Sequence, residues 1–508
     1  MGIAFAGFNC DRRFIGQIDD GGRRFSLKTM KRTVSAMDQT LASVLAKFAA
    51  ETTHADIPDH VRTAALGHVV DTIGVCIAGA SPLEESGQAA RRLAEKWKTK
   101  SGAMIFGINS NSRPEMAALL NGSLAQALEM DDKHGSSLAR PGSTVTPAVL
   151  AVAQANNMSL TDVLTAVTVG YEVMIRLGFV GGDRFLERGY HTSSLLGAFG
   201  TVAAVGSLLK SSVEDIVNAM GIAGTFAAGI QEATRTGSTS KILHGGWGAH
   251  SGVVALDLAV AGITGPSTVF EGKFGFFNCF LTPITGELDF AKAAEGLGQR
   301  WHLPETAYKP YPCCQLLHAF IEGAKQIRDE LKSAGKPLET ITSISCQLAE
   351  PGLTLVTEPK DRKAAPTHPH EARFSLPFGV ATTLLYGDVD VESFRPQRLK
   401  DPEILRLAEL VTSSEDPDSD YPQHCPAIIE VTSLGKVHRR HVRFHPGSPE
   451  AALSRDDVLD KFARNSHWLF GKSAREIGAS LMKTEKISLD ALLRQVGAGA
   501  SQPVETAV

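Results

Sequence analysis

Between Thr192 and Gly265 the apolar segments are built on small residues: Gly197, Ala198, Gly200, Ala203, Ala204, Gly206, Gly221, Ala223, Gly224, Ala227, Ala228 and Gly229. Glycine weakens a helix, and what it offers in return is close approach of one backbone to another. The stretch therefore predicts helices buried on several sides, inside a bundle. The flanking pattern agrees. Leu41, Val44, Leu45 and Phe48 recur at helical spacing, Pro58 precedes a helix from Asp59 to the Gly79 region, Pro114 opens one reaching about Met130, and Pro147 opens another. Ser159 with Asp162 and Ser212 with Asp215 have capping-box spacing ahead of helices at Val163 to Leu177 and Ile216 to Ile230.

Past Phe277 the texture changes. Ile341 to Leu348 alternates and is rich in β-branched residues, and Ala427 to Thr432 and Val437 to Val442 flank Gly435 as a hairpin. Helical stretches at His318 to Leu331 and Leu376 to Leu385 lie between them, and helices return at Arg455 to Ala463 and Ile487 to Val496. The fold class is mainly α: a large all-helical domain with an inserted smaller α+β lid domain and a cleft between them. Its expected parts are an extension at 1–36, helical domain at 37–277, lid at 278–446, helical return at 447–498 and tail at 499–508.

Composition narrows the function. Lys plus Arg number 51 against 55 Asp plus Glu, a net charge of −4, which argues against a nucleic-acid partner. A chain that is 43% hydrophobic and 21% charged is not mainly disordered. No uninterrupted apolar run reaches the roughly 18 residues of a bilayer span, so no membrane partner is expected. The 7 cysteines include no CxxC, which indicates neither a disulfide framework nor a zinc ribbon and favours a reducing compartment. A cytoplasmic location is expected; the first 35 residues, with basic residues interrupted by Asp11, Asp19 and Asp20, keep a mitochondrial address as the alternative.

There is no Walker loop, GxGxxG, GxSxG, HExxH or EF-hand loop, which favours chemistry without a cofactor. Four polar joints interrupt the apolar helices instead. Glu129-Met130-Asp131-Asp132-Lys133-His134, followed by Arg140-Pro141-Gly142, gathers charges that shift one another's pKa, unless it is only a solvated helix end. Gly189-Tyr190-His191 sets an imidazole at a helix N-terminus, where a structural cap is the alternative. Lys241 and His244, three apart, share a helical face suited to a substrate carboxylate, or else are a surface lysine beside a packed histidine. Lys309-Pro310-Tyr311-Pro312-Cys313-Cys314 is a stiff segment that fixes Lys309 and Tyr311 at a cleft rim, its two thiols read as buried and structural.

Taken in order, these segments resemble the MmgE/PrpD family, which includes 2-methylcitrate dehydratase, cis-aconitate decarboxylase and an iminodisuccinate epimerase. The resemblance also draws on Lys241 through Trp247 to His250, Gly265-Pro266 to Gly275-Phe276-Phe277, His318, and Glu371-Ala372-Arg373-Phe374-Ser375-Leu376-Pro377, across about residues 37 to 470. It implies a homodimer with a metal-free, cofactor-free site between two domains, acting on a small di- or tricarboxylate. By motif, His191 and Lys241 match the family's active-site histidine and lysine, Glu129 stands where an aspartate is usual, and Asp131 and Asp132 match the acidic pair that follows. Two positions depart from the pattern: Lys133 replaces a threonine, and Arg140 replaces the histidine of His-Pro-Gly.

The expected mechanism is proton abstraction next to a carboxylate. His191 is the base, Lys241 a catalytic cation, and His134, Asp131 or Asp132 the acid; Arg140, Lys133, Glu129, His244, Lys309 and Tyr311 bind the substrate. Loss of water is the first reading. Decarboxylation and epimerisation are the alternatives, and a family member that only binds carboxylates is the non-enzymatic one.

Overall fold

A computed structural model describes residues 40–236, 238–283 and 286–483, together with Leu493 and Val496. The expected N-terminal extension, the tail and most of the helix expected at Ile487 to Val496 lie outside the described residues.

The helical core is built from α1 (Leu41–Glu51), α2 (Asp59–Gly79), α3 (Glu85–Trp97), α4 (Pro114–Gln126), α5 (Val145–Ala155), α6 (Leu160–Gly181), α7 (Thr192–Leu208), α8 (Val213–Phe226) and α9 (Leu243–Val260). The caps begin where local chemistry puts them: Ser159 Oγ accepts the Asp162 N–H at 3.2 Å, and Ser212 Oγ that of Asp215 at 3.1 Å. Helix α7 is buried along its whole length, against α6 on one side and α9 on the other. The glycines explain how. A Cβ on Gly246 would run into the Leu119 carbonyl of α4, so only glycine lets α9 lie this close. In α1 the buried face is Leu41, Ala42, Leu45, Ala46 and Ala49, and Val44 points outward, because the small residues supply the contact instead.

Helices α2 and α6 are long and apolar enough to cross a bilayer, and 78% and 94% of their apolar windows are buried inside the protein. A search for uninterrupted apolar runs misses α6 because Glu172 and Arg176 interrupt it. They neutralise each other one turn apart at 3.2 Å, so the helix stays buried.

A second apolar core lies between Tyr311 and Val442. It contains α10 (His318–Ser333), α11 (Leu376–Tyr386), α12 (Pro402–Glu409) and a four-stranded sheet. In sheet order these strands are β6 (Val411–Glu415), β5 (Ile341–Leu348), β7 (Ala427–Ser433) and β8 (Lys436–Val442). β5 runs parallel to β6 and antiparallel to β7, and the β7–β8 hairpin turns at Leu434 and Gly435, whose φ of 50° and 75° suit a two-residue hairpin loop. Two short ladders complete the sheets: β1 (Lys98–Met104) with β2 (Asn111–Ser112), and β3 (Lys133–His134) with β4 (Thr306–Ala307).

The chain then returns through α13 (Arg455–Phe470) and α14 (Ala474–Leu481), with α13 packed on α2. Buried Lys461 on α13 holds Asp71 Oδ1 at 2.7 Å and donates to the Met130 carbonyl at 3.2 Å, tying α13 to α2 and to the turn that carries the first polar joint. The mainly α class read from the sequence holds.

Candidate active site

Helix α4 ends at Gln126, and three residues later Glu129 takes a φ of 58°. A left-handed glutamate costs on the order of 1–2 kcal/mol, which its side chain offsets by pairing with two ammoniums. Lys241 Nζ donates to Glu129 Oε1, and Lys309 Nζ lies 3.7 Å from Oε2. Burial pushes the Glu129 carboxyl up, but Lys241 and Lys309 outweigh it and hold the group ionised. Lys241 is held low by burial against Glu129's pull, and its ammonium also stands 5.3 Å from the centre of the Phe374 ring.

Gln126 joins three of the four joints. Its Oε1 accepts the Gly245 N–H at 2.9 Å, and its Nε2 donates to Ser193 Oγ at 3.0 Å and Asp131 Oδ2 at 3.3 Å. The start of α9, the start of α7 and the acidic turn thus meet at one amide. His191 caps α7, and its backbone N–H is fixed on the Gly229 carbonyl at 3.0 Å.

The ring of His191 lies between two partners, Arg140 Nη1 at 2.8 Å from Nε2 and His244 Nδ1 at 3.0 Å from its Nδ1. A guanidinium only donates, so His191 Nε2 must accept and carries the lone pair. The proton is then on Nδ1 and is donated to His244, whose own proton sits on Nε2. Burial, reinforced by Arg140 and Lys241, holds His191 well below its ordinary pKa, and burial with Lys241 and Arg140 brings His244 to about 4. Both imidazoles are neutral near pH 7.

Lys133 completes the group. It is buried, its side chain makes no hydrogen bond or ion pair among the described residues, and it is pushed down by burial and by Arg140 and Lys309. Four cations (Lys133, Arg140, Lys241 and Lys309) and two carboxylates (Glu129 and Asp131) thus stand near one another, and His191 faces Arg140, Lys241 and Lys309 among them. Among the described residues, Arg140 Nε, Asp131 Oδ1, Ser194 Oγ and His370 Nε2 are buried without a hydrogen-bond partner. Native interiors hold such atoms mainly where water or a ligand completes them. The arrangement suits a polyanion beside a neutral base.

Three expected residues stand elsewhere. Asp132 accepts from Gly142 N–H at 2.8 Å and Tyr171 Oη at 2.7 Å and pairs with His68 at 2.9 Å, so its oxygens anchor the Arg140-Pro141-Gly142 loop and offer nothing to a substrate. His134 follows Lys133 on β3 and, strand side chains alternating, turns away toward His302 and Glu305. Tyr311 packs edge-on against His318 in the second core, 5.2 Å between ring centres, because its ring is apolar enough to be drawn there. The thiols of Cys313 and Cys314 are free and buried, as the sequence suggests.

Gln126 and His370 carried no signal that the sequence made visible, and Ser193 stood in the second joint without a role. His370 is held down to about 4 by burial, against Glu129, and reaches the group from α-helical turn Pro369–Ala372.

Residues 43–287 match the MmgE/PrpD N-terminal domain and residues 311–484 the MmgE/PrpD C-terminal domain. The cis-aconitate decarboxylase-like protein oryM of Aspergillus oryzae is 28% identical over 451 residues, 86% of this chain and 92% of its own length. The cis-aconitate decarboxylase of Aspergillus terreus is 28% identical over 409 residues, 77% of this chain and 80% of its own. The 2-methylcitrate dehydratase of Escherichia coli is 22% identical over 281 residues, 53% of this chain and 54% of its own. With both domains matched along most of its length, the chain belongs to the MmgE/PrpD family.

Proposed function

We propose that the chain is a lyase for a small polycarboxylate, with loss of carbon dioxide from a cis-aconitate-like substrate as the first reading and loss of water from a 2-methylcitrate-like substrate as the second. The excess of four cations over two carboxylates in the group that the neutral His191 faces carries the proposal. The order departs from the sequence expectation because relatives named as cis-aconitate decarboxylases match most of their length, whereas the dehydratase matches about half.

Both reactions pass through negative charge at a carbon next to a carboxylate and need that charge spread onto carboxylate oxygens. Lys241, Lys309, Lys133 and Arg140 are donors already in place, and each such contact in a dry site contributes about 3 kcal/mol to the transition state. A substrate carboxylate draws the Arg140 guanidinium onto itself and so frees the His191 Nε2 lone pair. In decarboxylation the C–C bond to one carboxylate breaks and carbon dioxide leaves; the electron pair forms a new terminal C=C as the original double bond shifts, and the far alkene carbon takes a proton from Lys241, a better acid for being buried. In dehydration His191 takes the carbon-bound proton and hydroxide leaves with a proton from the same ammonium. Arg140 stays protonated and binds the carboxylate without exchanging a proton.

Proton NMR in deuterium oxide on citrate, 2-methylcitrate, cis-aconitate and amino-dicarboxylates tests the reading. The expected result is new terminal alkene signals from cis-aconitate with release of carbon dioxide. Alkene formation from 2-methylcitrate selects the second reading, deuterium uptake without bond cleavage selects an epimerase, and tight citrate binding with no turnover of any compound defeats the lyase proposal. The homodimer implied by the resemblance is also our proposal; α9 exposes Leu243, Trp247 and Val260, and light scattering at the monomer mass would reject it.

A further inference from the structure

Strand β3 sends two adjacent residues to opposite sides of its ladder. Lys133 joins the cation group, while His134 meets His302 and Glu305 on the other side. His134 Nε2 lies 3.4 Å, and His302 Nδ1 3.0 Å, from the same carboxylate oxygen, Glu305 Oε2, and the three atoms are all within 4.8 Å of one another. We propose that His134, His302 and Glu305 form a binding site for a divalent transition-metal ion, zinc above all, separate from the polycarboxylate site. Two imidazoles and one carboxylate converging on a point are a ligand set that zinc accepts, with water in the remaining position.

The surroundings are organised for that role. His134 is buried, and its ring is fixed in place against Phe179 and His302. Its Nδ1 accepts the Ser137 N–H at 3.3 Å and faces Ser137 Oγ at 2.9 Å, so without an ion the ring proton sits on Nε2 toward Glu305; an ion taking Nε2 moves that proton to Nδ1, where Ser137 Oγ receives it as the usual outer partner of a ligating histidine. His302 is fixed through its backbone: its N–H and that of Leu303 reach Glu172 Oε1 at 2.6 Å and 2.9 Å, and Glu172 is itself held by Arg176. Arg300 lies 3.7 Å from the other Glu305 oxygen, Oε1, and leaves Oε2 to the imidazoles. Glu305 is half exposed, and with His134 it lines a cavity of about 290 Å³ through which ion and water can enter. His424, in the same cavity, has both ring nitrogens engaged, by Asp420 at 2.6 Å and Glu450 at 3.0 Å, and is not part of the site.

The consequence is mechanical. β3 and β4 pair Lys133 with Ala307 and His134 with Thr306, and Glu305 immediately precedes β4. An ion held by His134 and Glu305 clamps the ladder whose opposite side presents Lys133 and whose exit leads to Lys309. Metal occupancy therefore stiffens the position of two substrate-side cations without touching the substrate.

The test uses the full chain, stripped with chelator and then titrated with zinc by calorimetry and with cobalt by visible absorption. The expected results are one ion per chain, cobalt bands characteristic of nitrogen and oxygen ligands, and a higher melting temperature with zinc. Glu305→Gln, on a half-exposed side chain, and His302→Gln each weaken zinc binding by at least the roughly 10-fold that loss of even an outer partner costs, with circular dichroism unchanged. Ser137→Ala weakens it less. Absence of binding, or equal binding by wild type and both variants, overturns the proposal and leaves a triad in which two imidazoles hydrogen-bond one carboxylate.

Discussion

Lys133→Met is the substitution whose outcome follows most directly from the site. Lys133 is 7% exposed, with no carboxylate partner among the described residues, and it is pressed by Arg140 and Lys309. Methionine has nearly the same length and no charge. Replacing buried charge by apolar groups of similar volume is often stabilising by about 1–4 kcal/mol, and here no partner is orphaned by the change. We expect the ligand-free variant to be about 1–3 kcal/mol more stable, a melting temperature a few degrees higher. Citrate binding should fall instead: a hydrogen bond to a charged group is worth about 1.5–3 kcal/mol, or about 10- to 150-fold in affinity. Thermal melts with and without citrate read both effects, since wild type should start lower and rise further on ligand addition. A variant that is destabilised without ligand, or that binds citrate as wild type does, would refute the idea that Lys133 is a cation held in wait for an anion.

His191→Gln should abolish solvent-deuterium exchange into substrate while circular dichroism and citrate binding stay within a few-fold of wild type; undiminished exchange would remove His191 as the base. Asp132→Asn should cost about 3 kcal/mol, because one buried carboxylate serves Gly142, Tyr171 and His68, and should weaken citrate binding as the Arg140 loop loosens; urea melts unchanged from wild type would contradict the anchor. His244, His370 and His445 are each held down to about 4, chiefly by burial, whereas an unfolded imidazole titrates near 6.5. Below pH 6.5 the unfolded chain therefore takes up protons that the native chain refuses. Stability should be complete above about pH 7 and fall toward pH 4, by about 2 kcal/mol per histidine at pH 5, and urea midpoints independent of pH across that window would contradict it.

What the sequence displayed was local. Caps at Ser159 and Ser212 need only residues three apart, and the glycines of α7 and α9 announce close helices by their absence of side chains. The polar joints were visible because charge in an apolar stretch needs a reason. How those joints divide was not visible: Lys133 and His134 are neighbours in the chain, and only the pairing of β3 with β4 decides which one faces Arg140. His370 is 179 positions beyond His191 and enters the site through tertiary packing alone. Strand β6, Val411–Glu415, is short and mostly polar, and it joins the sheet through parallel pairing with β5 that no nearby turn foretells.

The measurement closest to the centre of the account is a crystal structure of the full chain with bound citrate. The expected result is carboxylate oxygens within hydrogen-bond distance of Arg140, Lys133 and Lys241, with the guanidinium drawn off His191 Nε2. Citrate seated instead between Arg300 and Arg443 in the 290 Å³ cavity, with the Arg140–His191 contact intact, would contradict it.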